Sequence, residues 1–339
     1  MTLIIIHHRS SHHARNSGYA RLVDYFPEAK VIYGDHSKIP SGLARWIKKL
    51  HSQKYGLFDS HSVHKNWLLF HRLLKHNQPT VVHYLNGERD IRYQTAWFKN
   101  RVRSLATFHK PPQVLEQTIV NFKYHKNLQA AIAVGANQVS FLKERLQTDR
   151  VFYIPHGVDT QFFQPNPKLR REKTLLFVGQ HLRNFNMFNS VIRELKKQIN
   201  GLRIQVVLRS DFASQFTPVA GLEVYSHIDD YELLNLYQEA TLLFLPLHDV
   251  TACNSLLEAM ASGTPIVTTD LEANRGYSLG DFVVQDTVSA YVDKIVELLH
   301  ESESHLNRVS DQLRDLSLQY DWSVVAKQVE EVYQKVNEF

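Results

Sequence analysis

Short runs rich in Val, Ile and Leu recur along the whole chain, each separated from the next by a helix-length segment. LIIIHH, VIYG, TVVHYL, SLATFH and AAIAVG fall in the first half, and TLLFVG, RIQVVL, TLLFLPL, TPIVTTD and DFVVQ in the second. Runs of this kind do not alternate apolar with polar residues, so they suit strands covered on both faces. Their alternation with helices points to parallel pairing. At 339 residues the chain exceeds one ordinary core, and two doubly wound α/β domains are expected. Val151–Lys173, with Pro155, Pro165 and Pro167, reads as the connector between them. The expected division is an N-terminal domain over 1–155, a C-terminal domain over 156–320, and a terminal segment over 321–339. In that last segment Val324, Val325, Val329, Val332 and Val336 form the stripe of a helix that packs back across the domains. Parallel sheets bind ligands beyond the carboxyl ends of their strands, and two such sheets facing each other enclose an interdomain cleft. The loops after the strands are therefore where chemistry is sought.

Charge separates the two halves. Residues 1–155 hold 23 Lys and Arg against 9 Asp and Glu, a balance of +14, while the remainder carries −9. The basic half also has 13 of the 19 histidines. Such a field attracts anions. A single cysteine rules out an intramolecular disulfide and suits a reducing compartment. The opening MTLIIIHHRSSHH lacks the form of a cleavable leader, and no run reaches the length needed to span a bilayer, so a cytoplasmic location is expected.

NSLLEAMASGTPIVTTD, from Asn254 to Asp270, concentrates the functional signal. A strand ends near Leu247, the loop HDVTACN follows, and SLLEAMAS forms a two-turn helix stopped by Gly263 and Pro265. A helix that starts at the carboxyl end of a strand presents free amides to an anion. Glu258 admits two readings on spacing alone. It closes its own helix as the partner of Ser255 in a capping box, or it faces a ligand.

TACNSLLEAMASGTPIVTTD resembles the donor-binding signature of the GT-B glycosyltransferases, in particular their large retaining family of group 1 or family 4 type, whose bacterial members assemble polysaccharides. AAIAVGANQVSFLKERLQ with VFYIPHGVDTQFFQP is similar to the end of that family's first domain. KTLLFVGQHLRNFNMF resembles the first strand and phosphate loop of its second domain, and IDDYELLNLYQEATLLFLPL the middle of that domain. The resemblance implies two Rossmann-like domains, a nucleotide-sugar donor of the UDP-glucose type, no prosthetic group and no metal. It makes Glu258 the carboxylate that bonds the ribose hydroxyls, with the amides near Asn254 and Ser255 on the diphosphate. Gln180, Ile228, Thr251 and Leu256 complete the implied donor site. The family's first glutamate falls at Val250, with Asp249 one residue earlier. In the phosphate loop Gln180 stands where arginine is usual, and Arg183 is the replacement.

In the first domain His109 follows the strand of TFHKPP and resembles the histidine that faces the reacting sugar. Gly18 opens a helix where backbone could approach phosphate. His109 and Arg183 are thus the expected catalytic residues. Leu43, Trp46, Ile47 and Leu50 share one face of a helix whose remainder carries Arg45, Lys48 and Lys49. That helix either docks on its own sheet or lies on an anionic membrane. The expected acceptor is an anionic glycan or lipid-linked sugar, reached without nucleic-acid binding. A nucleotide-sugar epimerase or phosphorylase, and a non-enzymatic binder of anions or nucleic acid, remain open alternatives.

Overall fold

The computed structural model describes residues 2–7, 16, 18–34, 39–75, 78–166, 169 and 173–338. The chain divides into two compact units. One comprises Met1–His12, Tyr19–His156 and Ser323–Phe339, the other His13–Gly18 and Gly157–Trp322.

The first unit is built on a six-stranded parallel sheet of β1 (Thr2–Ile6), β2 (Lys30–Ile32), β3 (Thr80–Tyr84), β4 (Val102–Phe108), β5 (Ala130–Ala133) and β6 (Val151–Tyr153), in the order β2-β1-β3-β4-β5-β6. All five residues of β3 are buried, as expected of a strand covered on both faces. The second unit has β7 (Thr174–Val178), β8 (Arg203–Val207), β9 (Leu222–Tyr225), β10 (Leu242–Leu245), β11 (Ile266–Thr269) and β12 (Val283–Val284). They are all parallel, in the order β12-β11-β10-β7-β8-β9. The order reverses beside β7 and β10, and that switch point is where an open α/β sheet leaves a crevice.

Two strands depart from the sequence reading. Val151–Tyr153 pairs as β6 and so belongs to the first sheet, not to a connector. Leu222–Tyr225 is an edge strand in which no residue is fully buried, so it lacks the apolar run that marks the others. Pro167 of the expected connector lies outside the described residues.

The terminal helix Trp322–Glu338 buries Val325, Val329, Val332 and Val336, while Val324 is half-buried. Gly157 makes room for Trp322 within the second unit. A Cβ built on that glycine would stand 2.4 Å from an indole carbon.

Helix Ser41–Tyr55 does not present its apolar stripe to the sheet. Leu43, Trp46 and Leu50 are 46%, 60% and 48% exposed, and the inward positions are Ala44 and Tyr55, with Ile47 packed against a small cluster of Ile39, Ala44, Phe58 and Val63. Among the described residues no helix is long and apolar enough to cross a membrane.

Candidate functional site

In the second unit the switch point is occupied by two loops. The first, after β7, turns through Gly179 at φ +89° and through Leu182 at φ +58°, a left-handed conformation that is costly for a leucine. It is tied to the strand-end segment after β10, where the His248 amide donates to Leu182 O at 2.9 Å and the Asn184 amide to Pro246 O at 2.9 Å. Asn184 then caps the helix Phe185–Gln198 by accepting from the Met187 amide at 3.0 Å.

These ties bring Arg183 onto the helix Asn254–Ala261. Its Nε donates to Val178 O at 3.0 Å, Nη1 to His181 O at 3.2 Å, and Nη2 to Ser255 Oγ at 3.2 Å and Cys253 Sγ at 3.6 Å. Every one of these partners is neutral. Among the described residues no carboxylate pairs with the guanidinium, and a cation held in this way suits an anion site. Gly179, at φ +89°, lies beneath it, and a Cβ there would stand 3.0 Å from Nη2.

The helix begins at Asn254, with Cys253 as an N-cap that offers no side-chain bond. Ser255 is thus inside the first turn and not the cap, and the capping-box reading of Glu258 does not hold. Glu258 is 4% exposed, and its Oε2 accepts from the Tyr237 hydroxyl at 2.9 Å. Burial, and then the charge of Glu258, push the Tyr237 phenol well above its ordinary range, so it stays a donor and orients the carboxylate. Glu258 lines a small cleft with Asn16, Gly18, Gly157, Val158 and Asn254. Gly18, at φ +92°, groups with the second unit through the segment His13–Gly18. The Asn16 amide is held by Asp230 Oδ2 at 2.8 Å.

The other expected donor residues take several positions. Thr251 is buried in the loop after β10, and its Oγ1 has no partner among the described residues. Leu256 turns its side chain into the core and donates its amide to Cys253 O at 3.1 Å, while Asn254 at the start of the helix lines the cleft. Gln180 Oε1 accepts only a long bond, 3.5 Å, from the Arg209 amide. Ile228 packs half-buried on the core next to the capping box of Asp229 and Glu232. Val250 is buried in that core, and Asp249 accepts the Val250 amide at 2.7 Å. The Asp249 carboxylate is thereby engaged in its own loop.

His109 belongs to the first unit, at the carboxyl end of β4. Its Nε2 lies 2.7 Å from Leu85 O. A carbonyl can only accept, so Nε2 carries a proton, and in the neutral ring Nδ1 is the acceptor. The ring meets Tyr19 edge-on at 4.7 Å between centroids. Behind Tyr19 runs a buried chain with one consistent direction. Tyr333 donates to His83 Nδ1 at 2.7 Å, His83 Nε2 donates to Thr107 Oγ1 at 2.8 Å, and Thr107 donates to the Tyr19 oxygen at 3.2 Å. Burial pushes the His83 imidazole down to about 3, and the neighbouring His109 acts in the same direction, so His83 is neutral. Tyr237, His83 and Tyr333 escaped the sequence reading because each acts through a partner remote in the chain.

The chain is similar to known proteins in part of its sequence and in its fold. Residues 172–301 match the family model of group 1 glycosyl transferases. A phosphatidyl-myo-inositol mannosyltransferase of Mycolicibacterium smegmatis is 28% identical over 233 residues, covering 63% of this chain and 59% of that protein. The chain thus spans about three fifths of that relative. Among solved structures, sucrose-phosphate synthase from Thermosynechococcus elongatus superposes with a TM-score of 0.71 at 13% identity, covering 99% of each chain. The pneumococcal O-GlcNAc transferase GtfA, solved in complex with UDP and GlcNAc, gives a TM-score of 0.61 at 14% identity over 79% of this chain and 59% of that one. These neighbours share the GT-B fold.

Proposed function

From the match of residues 172–301 to the group 1 glycosyl transferases and the GT-B fold, we propose that the chain transfers a hexose from a uridine diphosphate sugar to an anionic, lipid-linked or glycan acceptor, with retention of configuration and without a metal ion. One observation carries the donor half of this reading. A buried carboxylate oriented by Tyr237 stands on the same short helix whose first turn meets a guanidinium with only neutral partners. Glu258 accepts the two ribose hydroxyls, Thr251 supplies its unpaired hydroxyl, and Arg183 with the Asn254 and Ser255 end of the helix takes the diphosphate. The charge that a metal would neutralise elsewhere is met here by the guanidinium and the helix amides. Adding a chelator leaves transfer unchanged on this account.

In the reaction the bond from the anomeric carbon to the diphosphate oxygen breaks as the bond to the acceptor oxygen forms on the same face. The proton of the acceptor hydroxyl passes to the departing diphosphate oxygen. This chain's contribution is to stabilise that oxygen through Arg183 and to hold a sugar hydroxyl at His109 Nδ1.

For the acceptor, the basic first unit and the exposed Leu43, Trp46 and Leu50 beside Arg45, Lys48 and Lys49 support an anionic membrane surface as the place of encounter. A relative named for phosphatidyl-myo-inositol is consistent with a lipid acceptor. The test is turnover of a donor panel that includes UDP-glucose and GDP-mannose, with a lipid and a soluble acceptor. Consumption of a uridine diphosphate sugar, with an α-linked product from an α-linked donor, supports the proposal. Use of GDP-mannose alone overturns the assignment of the base.

A further inference from the structure

The turn that carries His109 is held from two sides by buried side chains to which sequence reading assigned no role. Glu88, 1% exposed, extends Oε1 to the consecutive amides of His109 and Lys110, the second at 2.9 Å. From the other side Gln138, fully buried, donates Nε2 to Phe108 O at 3.0 Å and to Lys110 O at 2.9 Å. Its Oε1 is itself fixed by the Gly135 amide at 3.0 Å. An acceptor grips the turn's N–H groups and a donor grips its C=O groups, so the backbone of three residues is determined by two side chains. Gln138 comes from the loop after β5, and Glu88 from the short helix Gly87–Asp90 that follows β3. That same β3 loop contributes Leu85 O, which sets the tautomer of His109. Glu88 Oε2 has no partner among the described residues. Leaving a buried carboxylate oxygen unsatisfied is costly, which argues that Glu88 is there for what its other oxygen does.

We propose that Glu88 and Gln138 are positioning residues, a clamp that fixes the His109 ring with Nδ1 offered as a hydrogen-bond acceptor to the sugar. This rests on the reading of His109 as the residue that faces the sugar. A clamp of this kind matters because a side chain displaced by about 1 Å from its working geometry can lose on the order of a hundredfold in rate.

The experiment uses the full chain with 15N-labelled histidine, the His109 signals being assigned by their loss in His109→Gln. In the unaltered protein the nitrogen shifts report a single Nε2–H tautomer for His109. Glu88→Ala removes the acceptor of two amides, mixes the tautomers and lowers the turnover number for UDP release from UDP-glucose about 10- to 100-fold, with the Michaelis constant for UDP-glucose within about twofold. Glu88→Gln keeps an acceptor oxygen and restores both properties to within about threefold. Gln138→Glu, which places an oxygen against the two carbonyls while keeping the bond to Gly135, reproduces the loss and serves if Glu88→Ala does not fold. An unchanged tautomer signature in both Glu88→Ala and Gln138→Glu overturns the clamp. A changed signature with a His109→Ala protein of full turnover keeps the clamp and overturns the role of His109 instead, and the imidazole signature requires no substrate.

Discussion

Lowering the pH from 7 to 5 should destabilise the first unit through two buried histidines. His83 is fully buried with both ring nitrogens in hydrogen bonds, and burial holds it at about 3. His125 is buried with Nε2 on Gly87 O at 3.0 Å and Nδ1 unpartnered among the described residues. Burial pushes it to about 3 as well, against the opposing pull of the Gly87 carbonyl. Both are depressed below the unfolded value of about 6.5, so the unfolded chain takes up these protons first and stability falls as pH falls from 6.5 toward 3. At pH 5, about 1.5 units below the unfolded value and still above the folded one, each group costs roughly 2 kcal/mol, and the pair roughly 4. That is a large share of the 5–15 kcal/mol typical of a domain, taken as an order of magnitude. Urea denaturation followed by circular dichroism at pH 7 and pH 5 measures the loss. Other histidines and carboxylates contribute to the total, so the informative quantity is the difference from His125→Gln, whose pH dependence over this interval should be smaller by about 2 kcal/mol. The same pH dependence in both proteins would refute the reasoning, as would an NMR titration in which either buried imidazole protonates near 6.

Three further substitutions test separate links. Arg183→Ala should lower turnover about a hundredfold, the range for losing one donor to a developing oxyanion, while leaving the ribose contacts of the donor in place; steady-state kinetics with UDP-glucose reads this directly. Gly157→Ala drives a methyl group into the Trp322 indole, whose nearest carbon would be 2.4 Å away, and should cost about 1–3 kcal/mol in thermal unfolding. Trp46→Ser should abolish sedimentation with anionic liposomes while leaving stability within about 0.5 kcal/mol, because Trp46 is 60% exposed and its removal opens no cavity.

The strands were legible wherever both faces are covered, because burial on two sides leaves an unbroken apolar run such as TVVHY. β9 was not, since Leu-Glu-Val-Tyr at a sheet edge carries no such run. β6 was hidden by its neighbours, with Pro155 and Pro165 making the whole stretch look like a connector. At the site, the position of the helix Asn254–Ala261 was readable from Gly263 and Pro265, but its first residue was not, and one residue decides whether Ser255 can cap. The stripe of Leu43, Trp46 and Leu50 was visible as a pattern, yet periodicity does not say which way a stripe faces. What the sequence could not reveal are pairings with no local spacing. Tyr237 lies 21 residues from Glu258, and Tyr333 lies 250 from His83. Such contacts are set by which strands become neighbours, and only the folded sheet determines that.

The central claim is that Glu258 binds the ribose of a uridine diphosphate. Isothermal titration calorimetry of UDP against the unaltered chain and against Glu258→Ala tests it directly. Removing the carboxylate should weaken binding by about 1–3 kcal/mol, the range for hydrogen bonds to a charged group. Unfolding measured alongside confirms that the variant is folded, since Tyr237 loses its partner in it. The account predicts a dissociation constant raised about 5- to 150-fold with the fold intact. An affinity for UDP that is unchanged in the folded variant would contradict it and leave Glu258 with a structural role, such as accepting the Tyr237 hydroxyl.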